Sequence, residues 1–262
     1  RSIRENPRFR THFLTLNPNF MERTAVLVDG GFYRIRAQTL FGVKSPEERA
    51  DELFSYYMRH LNKGKENESS LYRIFYYDCP PSTKVVYNPV TQRHVNLAKS
   101  DQYRWTTAFF NALVTKRKVA LRRGEELASS GDYTLRAGVL KDLCAGRRSV
   151  ESLTDRDTRL NITQKGVDMR IGLDIASLVE RNLVTQIILI SGDSDFVPAA
   201  KYARRRGMDF VLDPMWQTVS PSLNEHVDGI RSRVQRPPRN EQDPLYHRED
   251  IGEDASIIDP GS

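Results

Sequence analysis

Gln186-Ile187-Ile188-Leu189-Ile190-Ser191-Gly192-Asp193-Ser194-Asp195-Phe196 decides how this chain is read. The apolar run at its start is a strand buried on both faces, the habit of parallel sheets. Serine, glycine and aspartate then turn the chain into a helix, so two carboxylates stand at a strand's carboxyl end. In open α/β sheets ligands collect in the crevice outside those ends, and acids placed there suit metal and phosphate chemistry.

Toward the amino end the same design recurs. Thr24-Ala25-Val26-Leu27-Val28 is a short apolar strand that stops at Asp29-Gly30-Gly31, read as a flexible turn. Leu71 to Tyr77, rich in aromatic and branched side chains, stops at Asp78-Cys79-Pro80-Pro81. Between them Ser45-Pro46-Glu47-Glu48 carries a capping box with proline at the first helical position. Residues 99–118 hold Trp105, Phe109, Phe110, Leu113 and Val114 at helical spacing. Val119 to Gly138 then suggests a strand or a hairpin around Ser129-Ser130-Gly131-Asp132. Residues 139–165 read as a mobile basic insertion.

Gln164-Lys165-Gly166-Val167-Asp168 opens a helix whose Ile171, Ile175, Leu178 and Val179 face the sheet. A further helix over 195–206 ends in Arg204-Arg205-Arg206-Gly207, where cations suit the helix end and glycine the left-handed cap. Phe210-Val211-Leu212 makes a last strand, and Leu223 to Ile230 a closing helix. Alternation of strand and helix over residues 24–231 gives an α/β fold, a three-layer α/β/α sandwich with a mostly parallel central sheet. Residues 1–20 form an amino-terminal appendage, with Met21 as a plausible natural start, and the domain runs over 21–235. The Pro-rich acidic composition of 236–262 reads as a disordered tail.

A chain of 262 residues with 39% hydrophobic content buries one sizeable core. No apolar stretch approaches the roughly 20 residues that cross a bilayer, and no signal-peptide pattern opens the chain, so a cytoplasmic protein without membrane contact is expected. Self-association stays open. The net charge is +6, yet the tail holds three arginines against seven acids, which leaves +10 on the rest and favours nucleic acid as a partner. Cys79 and Cys144 lack any metal-ligand spacing and are expected to be reduced and buried. GxSxG, Walker A and GxGxxG patterns are missing, and the five histidines are scattered, with His60 and His226 decorating helices.

Asp29, Asp168, Asp193 and Asp195 can therefore share one edge of the sheet. Two carboxylates about 4 Å apart repel by about 4 kcal/mol at an effective dielectric of 20, so such a cluster calls for protons or cations. Mg²⁺ or Mn²⁺ is the natural counter-charge, able to orient water against a phosphodiester. For any one of these acids a plain turn or helix cap is the competing reading, strongest for Asp195 at the start of its helix. Asp78 reads first as a turn former. Asp174 lies about 600° around a regular helix from Asp168, so it points elsewhere and supports from behind. Lys116 to Lys118, Arg122, Arg123 and Arg204 to Arg206 could track phosphates, with Tyr33, Tyr103 or Trp105 as stacking rings. Trp105 fits a helical apolar stripe and Arg204 to Arg206 a helix cap.

Val28-Asp29-Gly30-Gly31, Tyr76 to Pro81, Lys165-Gly166-Val167-Asp168 with Asp174, and Ser191 to Phe196 resemble, in order, the motif set of NYN domains of the PIN-like nuclease superfamily, LabA-like branch. The resemblance runs from about Glu22 to Ile230. It implies a PIN-like fold and a Mg²⁺- or Mn²⁺-dependent ribonuclease, with Asp29, Asp168, Asp193 and Asp195 as catalytic metal ligands. Tyr33, Arg34, Lys165, Ser191 and Ser194 are then expected against the substrate, single-stranded RNA, and Asp78 and Asp174 behind them. Phe32 departs from the pattern, since asparagine often stands there, and a polar support is lost with it. The rival readings are an RNA-binding or scaffolding module without turnover and a metal-dependent phosphatase.

Overall fold

The structure is a computed structural model that describes residues 22–61, 70–125, 128–163 and 166–236. The expected appendage with Met21, Lys165, and the tail from 237 onward lie outside the described residues.

β1 (Arg23–Asp29) buries its five central residues, and α1 (Gly30–Phe41) starts on the very next position. The flexible turn expected at Gly30-Gly31 is thus a helix, with Asp29 as its N-cap. Gly30 serves close approach: a Cβ there would lie 2.6 Å from the Tyr77 carbonyl and 2.7 Å from the Tyr76 ring. α2 (Pro46–Leu61) opens on the capping box, with the Ser45 N–H donating to Glu48 at 3.0 Å and the Glu48 N–H to Ser45 Oγ at 3.2 Å. β2 (Ser70–Asp78) follows, then the hairpin β3 (Val85–Asn88) and β4 (Arg93–Asn96), and α3 (Asp101–Val114). Trp105 stacks on Phe109 at 5.1 Å and donates its indole N–H to the Lys44 carbonyl, as a core residue does.

β5 (Val119–Arg123) joins the main sheet beside β2. The residues expected to form a turn at 129–132 lie inside β6 (Ala128–Leu135), where Gly131, at φ +86°, sits in a register shift. A bulge has the same glycine signal as a turn. After α4 (Ala137–Cys144), the partner of β6 is β7 (Thr158–Thr163), so the expected insertion is an antiparallel ribbon with a short helix between its strands. α5 (Val167–Glu180), β8 (Gln186–Ile190), α6 (Val197–Arg205) and β9 (Asp209–Asp213) follow their sequence pattern. The closing helix shortens to α7 (Pro221–Asn224), after which β10 (Gly229–Ile230) adds an edge strand.

The six-stranded sheet has the order β10-β9-β8-β1-β2-β5, with every pair parallel. Alternate residues of β1 and β8 feed two cores. Ala25, Leu27, Ile187 and Leu189 pack with α5, α6 and α7, whereas Val26, Val28, Ile188 and Ile190 pack with α1, α2 and α3. Each of these Val, Leu and Ile side chains removed from water is worth about 1.5–3 kcal/mol. From β1 the chain moves outward through β2 and β5, and from β8 it moves the opposite way through β9 and β10. The topological switch point therefore lies between β1 and β8, and the crevice beyond their carboxyl ends is where such sheets bind ligands.

One histidine and one cysteine differ from expectation. His60 is fully buried, its Nε2 2.7 Å from Asp213, because α2 packs over the end of β9. Asp213 also accepts from Tyr56, the Met215 N–H at 2.8 Å and Ser232 at 2.9 Å. Cys79 is buried, but Cys144, on the last turn of the exposed α4, is not.

Candidate active site at the switch point

The carboxyl ends of β1 and β8 bring Asp29 and Ser191 together. Ser191 Oγ lies 3.4 Å from Asp29 Oδ2 and accepts the Asp193 N–H at 3.3 Å, so one buried hydroxyl ties the first acid to the turn that carries the second. The Phe32 N–H donates to Asp29 Oδ1 at 3.2 Å. Asp193 Oδ1 accepts the Asp195 N–H at 2.9 Å. Asp193, not Asp195, is therefore the cap of the turn at Ser194–Phe196 that leads into α6. Asp168 is the second residue of α5, and Asp168, Asp193, Ser194 and Asp195 are all exposed.

Electrostatics tie these acids to one another. Asp29 is pushed up to about 6, first by burial and then by Asp168 and Asp78, against the lowering effect of the Phe32 N–H and Ser191. Burial, Asp193 and Asp195 raise Asp168. Among the described residues none of Asp29, Asp168, Asp193 and Asp195 has an ion-pair partner. Nor, among those residues, do three His, Cys, Asp or Glu side chains make a ready-formed ion site. The donor set is all-oxygen, anionic and unneutralised, which is the chemistry a hard divalent cation takes. The chemistry of these residues suits such an ion, although Asp29 is largely buried whereas Asp168, Asp193 and Asp195 are exposed.

The supporting acids are held differently. Asp78 is buried against Arg34 at 3.1 Å, the Cys79 N–H at 2.8 Å and the Tyr76 hydroxyl at 3.2 Å, and burial raises its pKa despite that company. Arg34, expected against substrate, is thus the partner of Asp78. Asp174 accepts from Tyr77 at 2.8 Å and Arg122 at 3.0 Å, turned away from Asp168 as helix geometry requires.

Two substrate contacts expected from sequence are overturned by burial. Tyr33, on the inner face of α1, is fully buried between α2 and β2, its hydroxyl donating to Glu52 at 3.1 Å and its ring edge-on to Tyr76 at 6.4 Å, and no base can stack on it. Ser191 is buried as well and acts on Asp29 instead of on a ligand. In the insertion Arg147 pairs with Asp142 at 2.7 Å and Arg148 grips Asp157 through both nitrogens at 2.9 Å, while Arg156 and Arg159 are exposed.

Gln217 is the residue that sequence reading missed. A Cβ on Gly192 would lie 2.9 Å from the Phe32 ring and 3.1 Å from Gln217 Nε2, so ring and carboxamide both lean on the turn before Asp193. Phe32 and Gln217 stand where a polar support was expected. No spacing rule finds Gln217, because Met215 and Trp216 bring it there through two successive left-handed residues at φ 47° and 63°. Arg36 holds that turn by donating twice to the Met215 carbonyl, at 2.7 and 3.2 Å.

Residues 142–229 match the family model of the NYN domain. This stretch is similar to an NYN domain. It makes up about a third of the chain and contains Asp168, Asp174, Asp193 and Asp195, whereas Asp29 and Asp78 precede it. NYN domains belong to the PIN-like nuclease superfamily, and the six-stranded parallel sheet with helices on both faces is the three-layer sandwich expected of it. Among solved structures the chain is similar to a protein of unknown function from Vibrio parahaemolyticus. The two are 12% identical over 81% of this chain and 93% of that one, with a TM-score of 0.42. No curated protein matches the chain. Among the described residues no helix is long and apolar enough to cross a membrane.

Proposed function

We propose that the chain is an endoribonuclease that hydrolyses phosphodiester bonds of single-stranded RNA with Mg²⁺ or Mn²⁺. What supports this reading is that Asp29, Asp168, Asp193 and Asp195, at strand ends and a helix start by the switch point, have no cationic partner among the described residues and raise one another's pKa where a shift is resolved, in a chain whose residues 142–229 match the NYN model. Asp29, Asp168, Asp193 and Asp195 would hold the ion. When bound, it supplies positive charge that activates water and offsets the charge growing on the phosphate.

The protein's own part is positioning. Ser191 and the Phe32 N–H fix both oxygens of Asp29, and the Asp195 N–H fixes Asp193, so two ligands are oriented before any ion arrives. The exposed Asp193-Ser194-Asp195 turn leaves the approach open to a strand and to water. Phe32 against the Gly192 turn supports a second reading, an RNA-binding module without turnover.

Labelled RNA and DNA incubated with the protein, Mn²⁺ or Mg²⁺, and then EDTA, beside Asp193→Asn, test both. Cation-dependent RNA cleavage is expected, reduced about a hundredfold or more by Asp193→Asn, because the ion contributes several kcal/mol. Equal cleavage by the variant moves the active site elsewhere. RNA bound in EDTA and never cut favours the second reading.

A further inference from the structure

α6 starts beside the acids and ends in a basic depression. On its outer face Pro198, Lys201 and Arg205 follow one another at steps of three and four, the spacing that lines residues up on one side of a helix, while Ala200 and Ala203 are buried opposite. At the far end Lys201, Arg204, Arg205, His226 and Asp228 line a depression of about 400 Å³. Arg204 is taken up with Asp228 at 2.8 Å and the Glu225 carbonyl at 3.1 Å, which braces the segment after α7 against α6. Arg206 is likewise paired with Glu180 at 3.0 Å. Lys201 and Arg205 are exposed and have no ion-pair partner among the described residues. A helix carboxyl end explains cations in its last turn. It does not explain Lys201 one turn earlier, nor a concave wall.

We infer that the Lys201–Arg205 depression is a second anion site that grips the phosphate backbone of the RNA several nucleotides from the bond being cleaved. The inference rests on the ribonuclease reading for its substrate. α6 spans about 13 Å by its rise per residue, so a strand with one phosphate at Asp193 reaches the depression only if it continues along the helix. The lining is cationic and polar with His226 as its one ring, so recognition there is chiefly by charge and tracks the backbone whatever the sequence.

The test is fluorescence anisotropy with unstructured poly-U and with a uridine dinucleotide, in EDTA, across a salt series. It compares the full chain with Lys201→Ala/Arg205→Ala and Lys201→Glu/Arg205→Glu, with melting curves as a check on folding. Two lost phosphate contacts should lower the slope of log affinity against log salt by about 1.4 for poly-U, at about 0.7 per contact on a single strand. The dinucleotide, with a single phosphate, should lose at most one contact and so show at most half that change, and charge reversal should weaken poly-U further. An unchanged poly-U slope overturns the second site, as does a slope change for the dinucleotide as large as that for poly-U. So does inorganic phosphate that displaces nothing at concentrations where salt alone is matched. Cleavage that Asp193→Asn stops while the slope stays fixed removes this site and spares the nuclease reading. Lys201- and Arg205-dependent binding without cation-dependent cleavage does the reverse.

Discussion

Asp29 is pulled in two directions. As N-cap of α1 it accepts the Phe32 N–H, which favours the ionised carboxylate, yet burial and the nearby Asp168 and Asp78 favour the proton and win, leaving it at about 6 against an ordinary 3.8. A carboxyl raised in the folded state stabilises the fold fully below the unfolded value near 3.8, and that contribution is lost as pH rises through about 6. The gap corresponds to about 2–3 kcal/mol. Asn caps a helix as well as Asp does and carries no charge. In chelator, Asp29→Asn should therefore gain stability on the parent by about that amount between pH 4 and pH 7, read from urea melts at each pH. Curves that stay parallel across the range refute the burial of this acid. The same proton must leave before a cation binds, so Mn²⁺ affinity should climb with pH until about 6 and then level off. The acids were legible in sequence because each follows an apolar strand or opens a helix. Tyr33 and Ser191 were misjudged because burial depends on what packs above a residue, and neither the packing of α2 and Tyr76 over Tyr33 nor the bridge from Ser191 to Asp29 shows in spacing.

Among elements, the helix that follows β1 directly shows how a single glycine carries information that its type alone conceals. Gly30 stands against the backbone of Tyr77 and the ring of Tyr76, both at the end of β2. Gly30→Ala should push α1 away from the sheet and destabilise by about 1–3 kcal/mol, as overpacking in a full core does. Gly172, inside α5 with nothing within 4 Å of its would-be Cβ, supplies the contrast. Gly172→Ala should stabilise by about 0.5–1 kcal/mol, since only backbone entropy is at issue there. Equal melting shifts in the two variants, or a stabilising Gly30→Ala beside a destabilising Gly172→Ala, would show that space above Gly30 is not what fixes α1. The Ser45 and Glu48 box was readable because its whole mechanism lies within four residues. The β6–β7 ribbon was not, because its pairing joins residues some thirty apart and Gly131 reads identically in a turn and in a bulge.

For the molecule as a whole, strand order decides what the acids are for, and no local pattern states it. β1 and β8 are neighbours although more than 150 residues separate them, and their adjacency at the switch point turns two remote carboxylate motifs into one crevice. Arg34 and Arg122 are already paired with Asp78 and Asp174 behind that crevice, so they leave its front acids uncompensated. An apo protein built this way carries repulsion that a divalent ion relieves, and binding to the folded state alone raises stability by about 2.7 kcal/mol when the free ion stands at a hundred times its Kd. Mn²⁺ or Mg²⁺ should therefore raise the melting temperature of the full chain well beyond what NaCl of equal ionic strength does. Asp193→Asn should melt no lower than the parent in EDTA, since it removes one of the repelling charges, and should respond much less to either ion. This measurement is independent of turnover, so it separates a site that holds a cation but no longer cleaves, the outcome Phe32 makes conceivable, from a crevice that never holds one. A melting curve indifferent to both ions would leave the four acids facing water without a counter-charge, and hydrolysis at this crevice would have no physical basis.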